Sequence, residues 1–242
     1  MVEFITEGPL KVFWLNGIKI AITKPMLVCT GAMIVLSLIM IYLGSGLKVL
    51  PTSKKQVAAE TIYSFIHGIV KDNMGEKLLS FVPFIGALII YIMGQNMTGL
   101  FGFKPATSSF STALGLGLTA FTMMHVNAIK TGGFGGYLKS YIKPMPFLLP
   151  ITLMERIILP ISLSLRLFGN ILAAAVIMTL IYGALMGIST FAALIIPIPF
   201  HAYFDIFDGA LQAVIFTFLT MIQTKLLAEE SLYSTLQVSN CQ

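Results

Sequence analysis

Arg166 stands in the stretch ISLSLRLFGNILAAAVIM, with apolar residues running away from it on both sides. An arginine at the centre of a membrane helix costs roughly 2.5 kcal/mol even on the mildest scale. No end of the segment is close enough for the side chain to snorkel to headgroups. It must face protein or water, and a polar or acidic partner is expected. Ser162 and Asn170 lie four residues to either side, on the same helical face. Arg166 is thus the centre of a polar stripe. A second stripe follows in FHAYFDIFDGALQAVIF, where Asp205, Asp208 and Gln212 share one face through their i, i+3, i+7 spacing. Two carboxylates in so apolar a stretch should line a wet path. A cation and two carboxylates kept in so apolar a setting mark a functional site.

Several weaker candidates accompany these stripes. Gln95 and Asn96 are amides in an otherwise uncharged apolar span, suited to line a channel where water enters. His125 sits with Asn127 near the end of another span, and His201 near the start of the last one; a lone histidine more often packs than relays protons, despite its suitable chemistry. Glu155 lies eleven residues, about three turns, before Arg166. It is a candidate for the channel wall, though with Arg156 it also reads as an interfacial anchor reaching for headgroups. Gly209 leaves room for another backbone beside the acidic stripe. Phe216 is expected to face lipid. No phosphate-binding loop, nucleophile–base pair or zinc spacing occurs; Gly132-Gly133 and Gly135-Gly136 read as a loop and are followed by no GK[ST]. Cys29 and Cys241 have no metal or redox spacing. No cofactor, no metal and no catalysis by this polypeptide alone are expected.

These residues need apolar elements to hold them, and the composition supplies little else. Hydrophobic residues make up 57% and charged residues 10% of the 242, against about 25% charged in soluble domains. Mean hydropathy is +0.90. The net charge of +5 does not point to nucleic acid, because the lysines sit between apolar runs and form no basic face. About 20 apolar residues cross a bilayer as a helix. The chain reads as an all-α polytopic membrane protein forming a single membrane domain over 1–242. An outer N-terminal segment, 1–25, acidic at Glu3 and Glu7 and without a basic signal-peptide start, precedes spans at 26–47, 78–103 and 110–129. Residues 53–70 have apolar positions at helical spacing and form an amphipathic helix at the membrane surface, with Ser53 and Gln56 as a capping box. The last two stretches, 145–185 and 191–228, form a helical hairpin. Its apolar runs 157–185 and 191–227 would reach about 43 and 55 Å, while the hydrocarbon core is about 30 Å thick. They must incline, bend or run along the surface, and Pro197 and Pro199 mark a break. Lysines concentrate in the first-to-second connection (Lys48, Lys54, Lys55, Lys71, Lys77) and the third-to-fourth (Lys130, Lys139, Lys143), leaving Lys104 alone in the second-to-third. Both lysine-rich connections then face the cytoplasm, with the N-terminus outside and the C-terminus inside.

The segment SLSLRLFGNILA (162–173) closely resembles the signature of the a subunit of F-type ATP synthases. FDIFDGALQAVIFTFLTMI (204–222) resembles that family's last helix, and GQNMTGLFGFKP (94–105) its second span and outer loop. The resemblance implies a non-catalytic stator protein in a bacterial plasma membrane, beside a ring of c subunits that each carry one mid-membrane carboxylate. The b-subunit peripheral stalk and the remaining synthase subunits would be its other protein partners. It implies that Arg166 is the essential arginine and that H⁺ or Na⁺ passes through two aqueous half-channels. It also implies that Gln212 lies near Arg166 and that Asn170 matches the family's asparagine. One departure is Ala175, nine residues after the arginine, where many relatives have Glu or His; Asp205 falls at the matching site of the last helix. A self-contained secondary transporter is the alternative, although no internal repeat stands out.

Overall fold

A computed structural model describes residues 11–15, 18–22, 24–46, 53–101, 105–141, 147, 149–187 and 189–239. Glu3, Glu7, Lys48, Lys104, Lys143 and Cys241 lie outside them. Five helical stretches among the described residues are long and apolar enough to cross a membrane. They are α1 (Lys24–Gly44), the run Glu76–Met97 ending in α3 (Val82–Met97), α4 (Phe110–Ser140) and α5 (Leu149–Met186), then a broken fifth stretch. The fifth contains α6 (Thr190–Ile195), α7 (Pro197–Ala202), a π-helical turn at Tyr203–Asp208 and α8 (Gly209–Ser239). Apolar side chains such as Ile34, Leu38 and Ile41 of α1 and Leu153, Ile157 and Ile161 of α5 cover the outer surface. Such a surface suits lipid and would aggregate in water; this is an integral membrane protein with an all-α body.

The amphipathic segment is α2 (Lys54–Met74), capped by Ser53, whose Oγ accepts from the Lys55 amide at 3.3 Å. Gln56 donates its side-chain amide to Glu60 at 2.7 Å. The inner residues Ile66, Val70 and Met74 pack with Val82, Ile85 and Met221. Part of the apolar stripe is therefore spent on protein, while Val57, Ile62 and Phe65 stay exposed.

A short antiparallel hairpin precedes α1. Strand β1 (Lys11–Leu15) pairs with β2 (Ile18–Ile22), Lys11 opposite Ile22 and Leu15 opposite Ile18. It was not expected within 1–25. Its signal was Asn16-Gly17 between two runs rich in β-branched and aromatic residues, easily overlooked in a chain dominated by helical spans.

The core is built where α8 lies along α4. Ala113, Ala120, Met124 and Ala128 of α4 meet Ala213, Phe216 and Leu227 of α8. Phe216, expected on the lipid face, is fully buried here. Apolar residues surround α8, so hydropathy could not tell lipid from α4. Small side chains bring the two backbones together, the usual basis of helix association in lipid. Ser231 Oγ donates to the Ala128 carbonyl at 2.9 Å, and Thr235 Oγ1 to the Gly132 carbonyl at 2.6 Å. Thr217, Thr220 and Thr224 are buried too, and each returns its hydroxyl to the carbonyl one turn back.

This contact also corrects the expected loop at Gly132-Gly133 and Gly135-Gly136. Residues 130–140 continue α4, with a break at Gly133, where φ is +68°. Glycines that read as turn residues serve instead to admit α8. A Cβ on Gly132 would lie 2.5 Å from the Ser231 carbonyl carbon, whereas one on Gly135 would meet nothing within 4 Å. Gly132→Ala should therefore destabilise the folded protein by about 1–3 kcal/mol, as overpacking commonly does, while Gly135→Ala should be tolerated. Thermal melting of the two detergent-solubilised variants checks this; equal melting temperatures would show that the backbones do not meet there.

Candidate functional site

α5 and the α6–α8 stretch are joined through Gly187 and Ser189, and Ser189 Oγ caps α6 by accepting from the Phe191 amide. Three side-chain pairs then link the two limbs: Tyr182 with His201, Asn170 with Gln212, and Arg156 with Glu230. Each step down α5 is matched by a comparable step up the other limb, so the pairing is antiparallel. Both helices rest chiefly on α4 and approach each other closely only in places. Side chains, not backbone contact, close much of the seam between them.

Arg166 lies on α5 between these pairs and is exposed. No described residue hydrogen-bonds or ion-pairs with it, so its expected polar partner is not found within the described part of the chain. Ser162 is exposed one turn away. On the following turn Asn170 Nδ2 donates to Gln212 Oε1 at 2.8 Å. Gln212 is only 2% exposed, and its own amide nitrogen is buried without a hydrogen-bond partner. Gln212 is thus tied to Asn170, one turn from Arg166, rather than to the arginine itself.

Beyond Asn170 the seam opens into a cavity of about 560 Å³. Asn170, Ala175 and Tyr182 line it from α5; His201, Asp205, Asp208 and Gln212 line it from the facing limb; Asn96 and Ser108 line a third side. The acidic stripe therefore does converge on one space, through an unusual backbone. Asp205 and Asp208 belong to the π-helical turn that follows Pro197 and Pro199, a form that recurs at functional sites. Gly99 and Gly209 let the pieces close up: a Cβ on Gly99 would sit 2.6 Å from Asp205 Oδ1, and one on Gly209 2.8 Å from Asn96 Cβ. Asn96 Nδ2 donates to the Gly209 carbonyl at 3.0 Å. Gln95 is fully buried and does not line this space, so the two neighbouring amides part company.

A second, smaller polar cavity of about 60 Å³ lies at the other end of the seam, lined by His125, Thr152, Glu155, Arg156, Gln223 and Glu230. Arg156 was expected at the membrane interface. It is instead 7% exposed and held by Glu230 at 2.8 Å and Ser140 Oγ at 3.2 Å, with its guanidinium over the Tyr141 ring at 4.1 Å. The reason is the length of α4: its continuation to Ser140 brings a protein surface where headgroups were expected. Glu155 remains exposed while contributing to the cavity wall. His125 packs on Phe121 and bonds its carbonyl through Nδ1 at 2.8 Å, while Nε2 is buried without a partner. Arg156, Glu230 and Tyr182 were not among the expected site residues. No local signal marks them, since each matters through a partner 19 or 74 residues away.

The arrangement defines an integral membrane protein with a cavity at each end of a helical seam, both lined in part by ionisable side chains, and an unpaired arginine between them. A family model described as the ATP synthase A chain matches residues 26–224. The chain is similar to the sodium-ion-specific ATP synthase subunit a of Propionigenium modestum, 33% identical over 207 residues that cover 78% of this chain and 69% of that one. It is also similar to ATP synthase subunit a of Anoxybacillus flavithermus, at 33% over 208 residues (81% and 88%), and of Moorella thermoacetica, at 28% over 215 residues (88% and 93%). The chain belongs to the ATP synthase A chain family.

The Arg156–Glu230 pair generates a stability prediction. Glu230→Ala strands a buried guanidinium, and a hydrogen bond to a charged group is worth about 1.5–3 kcal/mol. The variant should melt at lower temperature than wild type, with Glu230→Gln falling between them because it keeps an acceptor. A loss no larger than that of Glu229→Ala, its exposed neighbour, would show that the pair contributes nothing.

Proposed function

We propose that this chain is the stator ion channel of an F-type ATP synthase, with Arg166 facing the carboxylates of a rotating c ring. The observation that carries the reading is the exposed, unpaired Arg166 on a seam with a cavity at either end, each holding carboxylate side chains in its wall. The nearest α5 residues of the two linings, Leu159 and Asn170, are about 17 Å apart along the helix, with Arg166 between them. An unpaired cation on a lipid-like surface is too costly to leave uncompensated; a rotor carboxylate is the compensation. By the lysine distribution the larger cavity opens outward and the smaller one toward the cytoplasm of a bacterial cell.

An ion enters the larger cavity past Asp208 and Asp205 and reaches a rotor carboxylate beside Asn170 and Gln212. The ring carries it round and releases it into the cavity of Glu155, His125 and Glu230. Arg166 acts at the boundary: its fixed charge stabilises the ionised carboxylate, lowers that group's pKa and expels the bound ion. The same charge repels ions that would leak straight between the cavities. The Asn170–Gln212 bond holds the two limbs in register one turn away. The polypeptide does no bond chemistry; ATP is made or hydrolysed by the soluble part of the complex, to which the b-subunit stalk would anchor this subunit.

Arg166→Ala should abolish ATP-driven ion pumping by an assembled synthase in vesicles, and Arg166→Lys should fail as well, since a lysine lacks the planar, always-charged fork. Normal pumping by an assembled Arg166→Ala enzyme would sink the assignment. A separate measurement concerns the larger cavity. Asp205→Cys and Asp208→Cys should react rapidly with silver ion from the aqueous side, whereas Ile39→Cys on the exposed apolar surface of α1 should react slowly. Equal, slow reaction at all three would argue against a water-filled channel.

A further inference from the structure

Away from the seam, a cleft of about 710 Å³ lies between α1, α2 and α3. It is lined from Met33 to Gly44 on α1, from Val82 to Tyr91 on α3 and from Ala59 to Ile66 on α2. α1 holds to the rest of the chain at two places. Its Leu36 seats on Gly94, where a Cβ would lie 2.5 Å from Leu36 Cδ1. Nearer the cytoplasm, by the lysine distribution, Lys55 Nζ donates to the Ser45 carbonyl at 3.0 Å and lies over the Tyr42 ring at 4.0 Å. The cleft extends about 16 Å along α1 and about 14 Å along α3, close to half of a hydrocarbon core about 30 Å thick. On α3 it stops at Tyr91, one turn short of the Leu36–Gly94 contact. A transmembrane helix would need a groove through the whole core, whereas an acyl chain needs the depth of one leaflet.

The charged groups sit on α2, which begins where α1 ends. Glu60 is exposed in the cleft wall and accepts on Oε1 from the Gln56 side-chain amide at 2.7 Å. Lys54, in the first turn of the same helix, is exposed and hydrogen-bonds no described residue. An amine and a carboxylate beside one apolar cleft suit a headgroup carrying both signs. A phosphate is a ready partner for lysine, and an ammonium can donate to Glu60. A headgroup with a phosphate alone would be repelled by Glu60, and a choline group has no N–H to give it.

We propose that this cleft binds one ethanolamine phospholipid of the cytoplasmic leaflet, with an acyl chain between α1 and α3, the phosphate on Lys54 and the ammonium on Glu60. The chain supplies the van der Waals contacts that an empty cleft would forfeit. It also braces α1, whose remaining surface is exposed and apolar, against α3 between the two places where protein holds it. The inference stands apart from the channel reading, since it uses none of the residues of the seam.

The test uses the complete synthase, purified in mild detergent and incubated with phosphatidylethanolamine, phosphatidylglycerol and phosphatidylcholine of identical acyl chains. Mass spectrometry then counts the phospholipid that each complex retains after washing. Wild type should retain one more phosphatidylethanolamine than Ala87→Trp, whose indole would fill the cleft from α3. Ala59→Trp fills it from α2 and repeats the comparison if Ala87→Trp does not assemble. Glu60→Gln should still hold a lipid but lose roughly tenfold of the preference for ethanolamine over glycerol, the effect of one hydrogen bond to a charged group. Lys54→Ala should lower retention of all three lipids. Equal retention by wild type and the tryptophan variants would overturn the site. So would loss of another subunit from a tryptophan variant that retains as much lipid as wild type, since a protein helix would then be the occupant. Retention by wild type with no headgroup preference would overturn the roles given to Lys54 and Glu60.

Discussion

Hydrocarbon offers no hydrogen-bond partner, so polar groups within it are driven to find one in the fold, in water or on a neighbouring protein. Most of the architecture follows from that constraint. The buried threonines of α8 return their hydroxyls to their own helix, and Ser231 and Thr235 spend theirs on α4. Glycine and alanine let those donors reach another backbone, because a larger side chain would hold the helices apart. The tight α4–α8 contact is therefore both a packing solution and a polar one.

The seam between α5 and the last limb meets the same constraint differently. Here the helices stand off from each other, and long polar side chains bridge the gap. Where they meet, as at Asn170 and Gln212 or Arg156 and Glu230, the seam is closed. Where they cannot fill the space, cavities remain, with polar side chains set among apolar ones in their walls. Helices set closer together would leave no cavity between them. A rigid α4–α8 pair allows α5 to be held at this distance, since both limbs are braced on α4.

The π-helical turn adds a local device. Pro197 and Pro199 interrupt the helical ladder, and the backbone re-enters it through a wider turn at Tyr203–Asp208. Residues of this turn line the larger cavity. It sets His201 against Tyr182 of the opposite limb while Asp205 settles against Gly99. A straight helix would have carried the same residues without a reason to fold back on α5.

Much of this was legible in the amino-acid order. Charge-free runs of sufficient length marked the spans, Ser53 marked the start of α2, and the spacing of Asp205, Asp208 and Gln212 placed them on one face. Arg166 announced itself by its cost. These features depend on residues a few positions apart, so local periodicity is enough to reveal them. What only the tertiary structure decided was which apolar face meets protein and which meets lipid. In a membrane both are hydrophobic, so Phe216 looked the same buried on α4 as it would facing acyl chains. For the same reason the glycines of 132–136 passed for a loop, Arg156 for an anchor and His201 for an isolated ring. Each acquires its meaning from a partner on another helix, and pairing between distant segments leaves no mark in the spacing of either one.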